Sequence, residues 1–576
     1  MGGSLQSTPE RVWLKKYGQG VPPTIEIPNL LLPDLIEASV RRYPDRIALV
    51  YYGATWTYRR FWEASGRLAA ALARDGIGPG DRVAIYLPNG PLYPIAVFAV
   101  LRLGAIVVQV SPLYLGQDLT RILRDSEPKA LITLEILYPN VAQVRSEYAP
   151  PIVVVGRLRE FYPFPKSLFV NSVVQRQKMS TAFPRDPWVR SWHDILRAPG
   201  TPPPWTGDPA TTVAILQYTG GTTGRPKAAM LTHRNLVANV TQSNSWNTTR
   251  RPGEEIIMAS IPFFHIYGLT VAMLMGFADG ATIIIQTRPE IRELLRLIDR
   301  YRPTQFPGVP ALYQAFNQQP DLAKYRIRSI RYCLSGSAPL PLEVAKRFEV
   351  LTGAIIVEGY GLSETSPVTH VNPVEGERRA GSIGIPLPNT DERVVALDDP
   401  GRVLGTEEVG ELAVRGPQVM LGYYHQPEET ALFLSDGWFR TGDVARIDAD
   451  GYAYIVDRKK DMINVGGMKV YPREVEEVLF QHPGVADVAC VGVPDLEHGE
   501  VVKAFVVKKS GVPVTEDELR EFVRARIAHF KAPRSVEFRD ALPRTGVQKV
   551  LRRVLREQAA AEAAVAPPPS VTGPSK

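Results

Sequence analysis

Along the first half of the chain, short apolar runs bounded by glycine, proline and polar residues alternate with longer stretches of helical period. Residues 82–87 predict a strand, 93–103 an apolar helix, 105–110 a second buried strand and 117–125 another helix. Apolar runs at 213–216, 255–260 and 281–286 continue the pattern. Strands apolar on both faces and separated by helices belong to parallel sheets covered by helices, built from βαβ units.

From about residue 391 the texture changes. Short strands at 393–397, 410–414 and 451–455 are punctuated by Gly, Pro and Asp, and predict a small β-barrel-like subdomain. A charged break follows, Asp457-Arg458-Lys459-Lys460-Asp461. Beyond it, 472–481 reads as a helix with Val475, Val478 and Leu479 on one face. Strands at 485–493 and 501–507 and a helix at 516–527 complete an α+β unit of ordinary domain size. The expected organisation is an α/β N-terminal domain over 1–456, a hinge at 457–461 and a smaller α+β domain over 462–556. The tail, 557–576, is rich in Ala and Pro; it cannot build a core and predicts disorder.

Composition adds limits. At 576 residues, 44% apolar and 22% charged, the chain is a globular protein of more than one domain. Its two cysteines, Cys333 and Cys490, are too far apart in sequence for a CxxC site, which fits a reducing cytoplasm. The N-terminal residues show no apolar signal region, and Gln6 breaks the myristoylation pattern. A net charge of +7 suits phosphate-bearing small molecules or an anionic lipid surface. No basic cluster resembles a nucleic-acid module, so nucleic acid is not an expected partner. Residues 161–192 mix Phe161, Tyr162, Phe164, Phe169, Trp188 and Trp192 with Lys166, Arg176, Lys178, Arg185 and Arg190. Such a mixture marks either a peripheral membrane patch, here at the inner membrane face, or an insertion packed on the protein itself.

Candidate chemistry centres on Thr219-Gly220-Gly221-Thr222-Thr223-Gly224-Arg225-Pro226-Lys227, which follows the apolar run 213–216. Glycines let backbone N–H groups approach an anion, threonines add hydroxyl donors, and Lys227 adds a point charge. The loop suits a polyphosphate, although the G-x-x-x-x-G-K-[ST] spacing is absent.

Five further segments accompany it in order: Ile261 to Gly268 around His265; Ser335-Gly336-Ser337-Ala338-Pro339; Glu358-Gly359-Tyr360-Gly361-Leu362-Ser363-Glu364; Thr441-Gly442-Asp443; and Pro543 to Arg553 around Lys549. Together they resemble the acyl-CoA synthetases of the adenylate-forming superfamily, from about Leu30 to about Arg556. The resemblance implies a ligase that uses ATP and Mg²⁺ to activate a carboxylic acid as an acyl-adenylate. Coenzyme A then takes the acyl group, and AMP and pyrophosphate are released. A medium- to long-chain fatty acid is the acid expected.

The resemblance also assigns residues. Thr219 to Gly224 and Lys227 would cradle the phosphates, and Thr219 and Glu364 would face Mg²⁺. Gly336, Ser337, Ala338, Glu358, Gly359, Tyr360, Gly361 and Ser363 would surround adenine, with Tyr360 stacked on it. Asp443 and Arg458 would hold the ribose. His265 and Gly308 would line the acyl pocket, with glycine leaving room for the chain. Lys549 would be the adenylation lysine. Lys460 marks the hinge, about which the C-terminal domain would rotate. Gly466, Gly467 and Lys469 would shape the CoA tunnel, with Lys531 a further phosphate contact. Relatives carry glycine before the adenylation lysine, where this chain has Gln548; a left-handed backbone there would cost about 1–2 kcal/mol.

Several alternatives stay open at this stage: a ligase loading a carrier protein, an aryl or short-chain acid, a luciferase-like monooxygenase, and a non-catalytic relative. Oligomeric state is open as well, a homodimer included.

Overall fold

The computed structural model describes residues 11–176, 179, 182–219, 226–495, 497–545 and 549–565. Two compact units form. One holds the chain up to Arg393 with Ala413–Phe439 and Asp448–Ala453; the other holds Val394–Leu412, Arg440–Ile447 and the chain from Tyr454 on. The second unit thus includes three stretches that the sequence reading assigns to the N-terminal domain, Val394–Leu412, Arg440–Ile447 and 454–456.

The first unit is layered α/β. Its eight-stranded sheet runs in the order Gly422–Tyr423, Lys227–Thr232, Val213–Thr219, Ile106–Val110, Arg82–Tyr86, Ala130–Leu134, Ile152–Gly156, Val189–Ser191. From Val213–Thr219 onward all neighbours are parallel; the first two strands are antiparallel additions. The Leu92–Leu101 helix is buried along its whole length, which is why its sequence is apolar on every side. Among the described residues no helix is long and apolar enough to cross a membrane. A second sheet joins Ile256–Ala259, Thr282–Ile285, Ile47–Tyr51 and Ala54–Thr57. A third joins Tyr332–Ser335, Ile355–Gly361, Val368–Val371 and Ile385–Pro386. Cys333 lies buried in this third sheet, as a small core residue should.

A five-stranded sheet contains Asp391–Val395, Gly410–Arg415, Trp438–Ile447 and Leu434–Ser435, with Ala453–Arg458 paired to the third of these. In the second unit, Met468–Val470, Ile463–Val465, Gly499–Lys508 and Val485–Asp495 form a sheet, with Ser535–Phe538 parallel to Gly499–Lys508. Helices Pro472–Phe480 and Glu516–Arg524 bury Val475, Leu479, Leu519 and Val523 against it.

One expectation needs correction. The Ala-rich start of the tail is helical: Arg552–Val565 forms one helix, and Leu555 and Ala559 pack with Ala489, Val491, Phe505 and Leu542. Alanine has the highest helix propensity, and two residues four apart suffice to dock one face. The rest of the tail, 566–576, lies outside the described residues.

Candidate functional site

The candidate residues fall into two groups, one in each unit. In the first, strands Val213–Thr219 and Lys227–Thr232 pair antiparallel with Thr219 opposite Lys227. This pairing sets the two ends of the Gly/Thr loop side by side, at cross-strand distance. Thr219 Oγ1 donates to the Lys227 carbonyl at 3.4 Å. Gly220, Gly221, Thr222, Thr223 and Gly224 lie outside the described residues. The second strand runs straight into helix His233–Trp246, whose N-cap is Thr232: Thr232 Oγ1 accepts from Asn235 N at 3.2 Å while Asn235 Oδ1 accepts from Thr232 N at 2.9 Å.

The turn Ser363–Thr365 packs on both strands and carries Glu364, which is only 9% exposed. One side chain connects Glu364 to Lys227. Tyr423 pairs opposite Ala229, and its hydroxyl donates to Glu364 Oε1 at 2.8 Å. Lys227 Nζ stands 5.9 Å from the centre of the same ring and 5.7 Å from that of Phe433, and is ion-paired with Glu429. Burial, followed by the charge of Glu364, raises the Tyr423 phenol well above its ordinary pKa, so it remains a donor. Tyr423, Glu429 and Phe433 went unread in the sequence. Their only signal was a Gly-Tyr pair and a Pro-Glu-Glu helix start in a stretch without periodicity.

Magnesium takes oxygen ligands, keeps waters or phosphate oxygens, and needs only one or two carboxylates. Tyr423 engages one oxygen of Glu364, and the Thr219 hydroxyl closes the neighbouring strand, so these donors fit such an ion. Among the described residues no group of three or more His, Cys, Asp or Glu side chains could hold a metal alone.

Tyr332–Ser335 and Ile355–Gly361 are parallel neighbours, with Ser335 opposite Glu358. Gly336, Ser337 and Ala338 leave the first strand at its carboxyl end, level with Glu358, Gly359, Tyr360 and Gly361 of the second. Open parallel sheets bind ligands at such carboxyl ends. Residues 358–361 are strand rather than loop, because Gly359, Tyr360 and Gly361 pair with Val371, His370 and Val368. A Cβ on Gly361 would stand 1.9 Å from the Pro367 carbonyl oxygen, so this position must be glycine. Ser363 opens the turn that follows.

The aromatic segment lies against this region. The Tyr267 hydroxyl donates to the Leu334 carbonyl at 2.6 Å and the Gly308 carbonyl at 3.1 Å, and its ring borders Gly336. His265 is half-buried, and its Nδ1 accepts from Tyr267 N at 3.2 Å. At Gly308 a Cβ would meet the Tyr313 ring at 2.9 Å, a reason for glycine that does not involve a ligand. The missing side chain makes space for the protein's own tyrosine.

The second group lies in the second unit. Asp443, 2% exposed, sits on strand Trp438–Ile447, and Arg458 Nε lies 2.6 Å from its Oδ1. Gly442, with φ +72°, donates its N–H to Glu411 Oε1 at 3.2 Å, and the other oxygen of Glu411 pairs with Lys459 at 3.0 Å. Lys549 lies just before helix Arg552–Val565, and its ammonium is crowded by like charges. Arg458 chiefly, then burial, lower its pKa from 10.5 to about 8; Asp443 opposes them, while Lys460 and Arg552 reinforce them. Lys460 is exposed in the Lys459–Asp461 turn. Gln548 lies outside the described residues.

Gly466 and Gly467 have a different reason from the one expected. They form the two-residue turn between Ile463–Val465 and Met468–Val470, with φ +58° and +86°. Two successive positive φ values define a type I′ hairpin turn, which glycine enters without strain. A Cβ on Gly466 would stand 3.9 Å from the His498 ring and one on Gly467 would meet nothing within 4 Å, so within the chain it is the turn that calls for glycine. Lys469 is exposed on that hairpin. Lys531 is ion-paired with Glu474 at 2.6 Å.

Residues 36–424 match the AMP-binding enzyme family, and residues 474–549 match the AMP-binding enzyme C-terminal domain. The long-chain-fatty-acid–CoA ligase of Bacillus subtilis is 41% identical over 95% of this chain and 98% of its own. A feruloyl-CoA synthase of an Amycolatopsis species is 36% identical over 90% of this chain and 97% of its own. Among solved structures, the anthranilate CoA ligase AuaEII with anthranoyl-AMP superposes with a TM-score of 0.81 at 26% identity, covering 94% of this chain and 99% of that one.

Proposed function

The chain belongs to the AMP-binding enzyme family, and on that premise we propose that it is an ATP-dependent acid–thiol ligase making acyl-CoA. The substrate carboxylate attacks the α-phosphorus of ATP, forming the acyl-adenylate and expelling pyrophosphate. The CoA thiol then attacks the acyl carbon, the thioester forms, AMP leaves and the thiol proton is released. A carboxylate is already ionised at neutral pH, so the first step needs no base. It needs charge stabilisation and alignment.

The observation that carries this reading is the Tyr423 link, which gathers Lys227, Glu364 and Glu429 beside the strand that ends in Thr219. We assign Thr219 and Lys227 to the phosphates. Glu364 and Thr219 would hold Mg²⁺, which would neutralise phosphate charge. The loop 336–338 and residues 358–361 would bracket adenine, and Asp443 and Arg458 would fix the ribose hydroxyls. Lys549 would stabilise the charge that builds on the α-phosphate. His265 would lie beside the carboxylate to be activated, and Lys469 would meet CoA. Rotation of the C-terminal domain about Lys460 is part of the proposal.

A medium- to long-chain fatty acid is the substrate we infer, supported by the near-full-length similarity to long-chain-fatty-acid–CoA ligases. An aryl acid is the second reading, favoured by the feruloyl-CoA synthase similarity. We also infer peripheral membrane contact through 161–192. Pyrophosphate release over a panel of short, medium, long and aryl acids, with and without CoA, tests the reaction. CoA-dependent turnover peaking at long acids is expected. Release indifferent to CoA would replace this reading with a carrier-loading ligase.

A further inference from the structure

We propose that Arg157, Arg159 and Arg185 of the first unit seat the headgroup of an anionic phospholipid, while the helix beside them inserts into the bilayer interface. The inference gives the peripheral contact stated above a ligand and a binding site.

Two independent features meet here. The first is a cavity of about 450 Å³ lined by the three arginines with Glu135, Asn171 and Phe183. That size falls among small-ligand pockets, which span roughly 300–1,000 Å³. Arg157 stacks on Phe183 at 4.5 Å, which holds its guanidinium in place. Among the described residues none of the three arginines is ion-paired with a carboxylate. Planar guanidinium groups are well matched to phosphate oxygens. The one carboxylate in the lining, Glu135, is 2% exposed and already engaged: both its oxygens accept from Leu158 N, at 2.9 and 3.0 Å.

The second feature is apolar. Phe164, Leu168 and Phe169 are 81%, 65% and 64% exposed, within six residues at the start of helix Lys166–Arg176. The same helix buries Val170 and Val174 on its opposite side, so it is anchored to the protein by one face and bare on the other. Asn171 of the cavity follows Leu168 by three residues, which places the cavity one helical turn from the bare apolar face. An anionic bilayer is the ligand with this layout, phosphate lying directly beside hydrocarbon. A free phosphate would use the arginines and leave the apolar face without purpose. A protein partner would need no phosphate-sized cavity.

The test is flotation of the full chain with vesicles of phosphatidylcholine alone or mixed with phosphatidylglycerol, at rising salt. Binding to the mixed vesicles, weakened by salt, is expected. Arg159→Gln with Arg185→Gln should weaken that binding by roughly fivefold per charge removed. Leu168→Gln with Phe169→Gln should abolish it even at low salt. All four substitutions lie on the surface, so melting temperatures should match the parent, which separates lost binding from lost folding. Glycerol phosphate at the concentration of the vesicle phosphatidylglycerol should not displace the protein, because it offers nothing to the apolar face; full displacement at that concentration would mean a soluble phosphate site and would overturn the proposal. No flotation of the parent chain would refute membrane contact altogether. Equal flotation with both vesicle types, or variants that bind like the parent, would refute the headgroup site. None of these readings depends on ligase activity.

Discussion

Replacing Tyr423 with Phe tests the link at the centre of the phosphate side. The ring is retained, so packing against Phe433 and the neighbourhood of Lys227 change little; only the hydroxyl that donates to Glu364 at 2.8 Å is lost. Glu364 is 9% exposed, so water replaces that donor poorly. A hydrogen bond to a charged group contributes about 1.5–3 kcal/mol. The lower end of that range, about 1.5 kcal/mol, corresponds to roughly a tenfold change in an equilibrium constant. If Glu364 holds Mg²⁺ and Tyr423 aims it, the Mg²⁺ concentration for half-maximal pyrophosphate release should rise by about that factor at saturating acid and ATP. The melting temperature is the companion measurement. A lower melting temperature with an unchanged Mg²⁺ requirement would make Tyr423 a packing residue, and would remove the argument that Glu364 is held for a cation.

Three further outcomes are expected. In the free protein the Lys549 ammonium is pushed down to about 8, so kcat/KM for ATP should decline on the alkaline side near pH 8; Lys549→Arg, charged throughout, should remove that limb even at a lower rate, and a limb that persists would assign it to another group. Gly361→Ala places a methyl against the Pro367 carbonyl and should lower stability by about 1–3 kcal/mol, read as a fall in melting temperature. Gly308→Ala should also lower the melting temperature, by displacing the Tyr313 ring; selective loss of the longest acids would support Gly308 in the acyl pocket, and equal loss on all acids would make its role one of packing alone.

Much of the fold was legible because its elements are long, periodic and buried. The run 82–87 became Arg82–Tyr86, and 472–481 became Pro472–Phe480, since a strand apolar on both faces and a helix with Val475, Val478 and Leu479 on one face have few alternatives. What the sequence could not reveal is who fills the space that a glycine leaves. Gly308, Gly466 and Gly467 all looked like room for a ligand. Each also has a constraint within the chain, the Tyr313 ring beside Gly308 and the turn at Gly466 and Gly467, because a missing side chain reports a constraint without naming its source. Tyr423 and Glu429 were invisible for the converse reason. Their roles come from strand pairing with Lys227–Thr232 and from an ion pair across 202 positions of sequence, and neither leaves a local mark.

The charges around Lys549 bear on how the reaction is paced. In the second unit its ammonium faces Arg458, Lys460 and Arg552, against Asp443 as the opposing carboxylate, so the free protein holds cation against cation. Asp443 already pairs with Arg458, which divides its charge between two partners. An arriving polyphosphate would supply the missing negative charge and restore the ammonium above neutral pH. With Lys549 in the proposed role, the repulsion in the free unit would turn into attraction that grows as charge builds on the α-phosphate. A lysine resting comfortably beside a carboxylate would bind substrate and transition state about equally, and would gain nothing in rate.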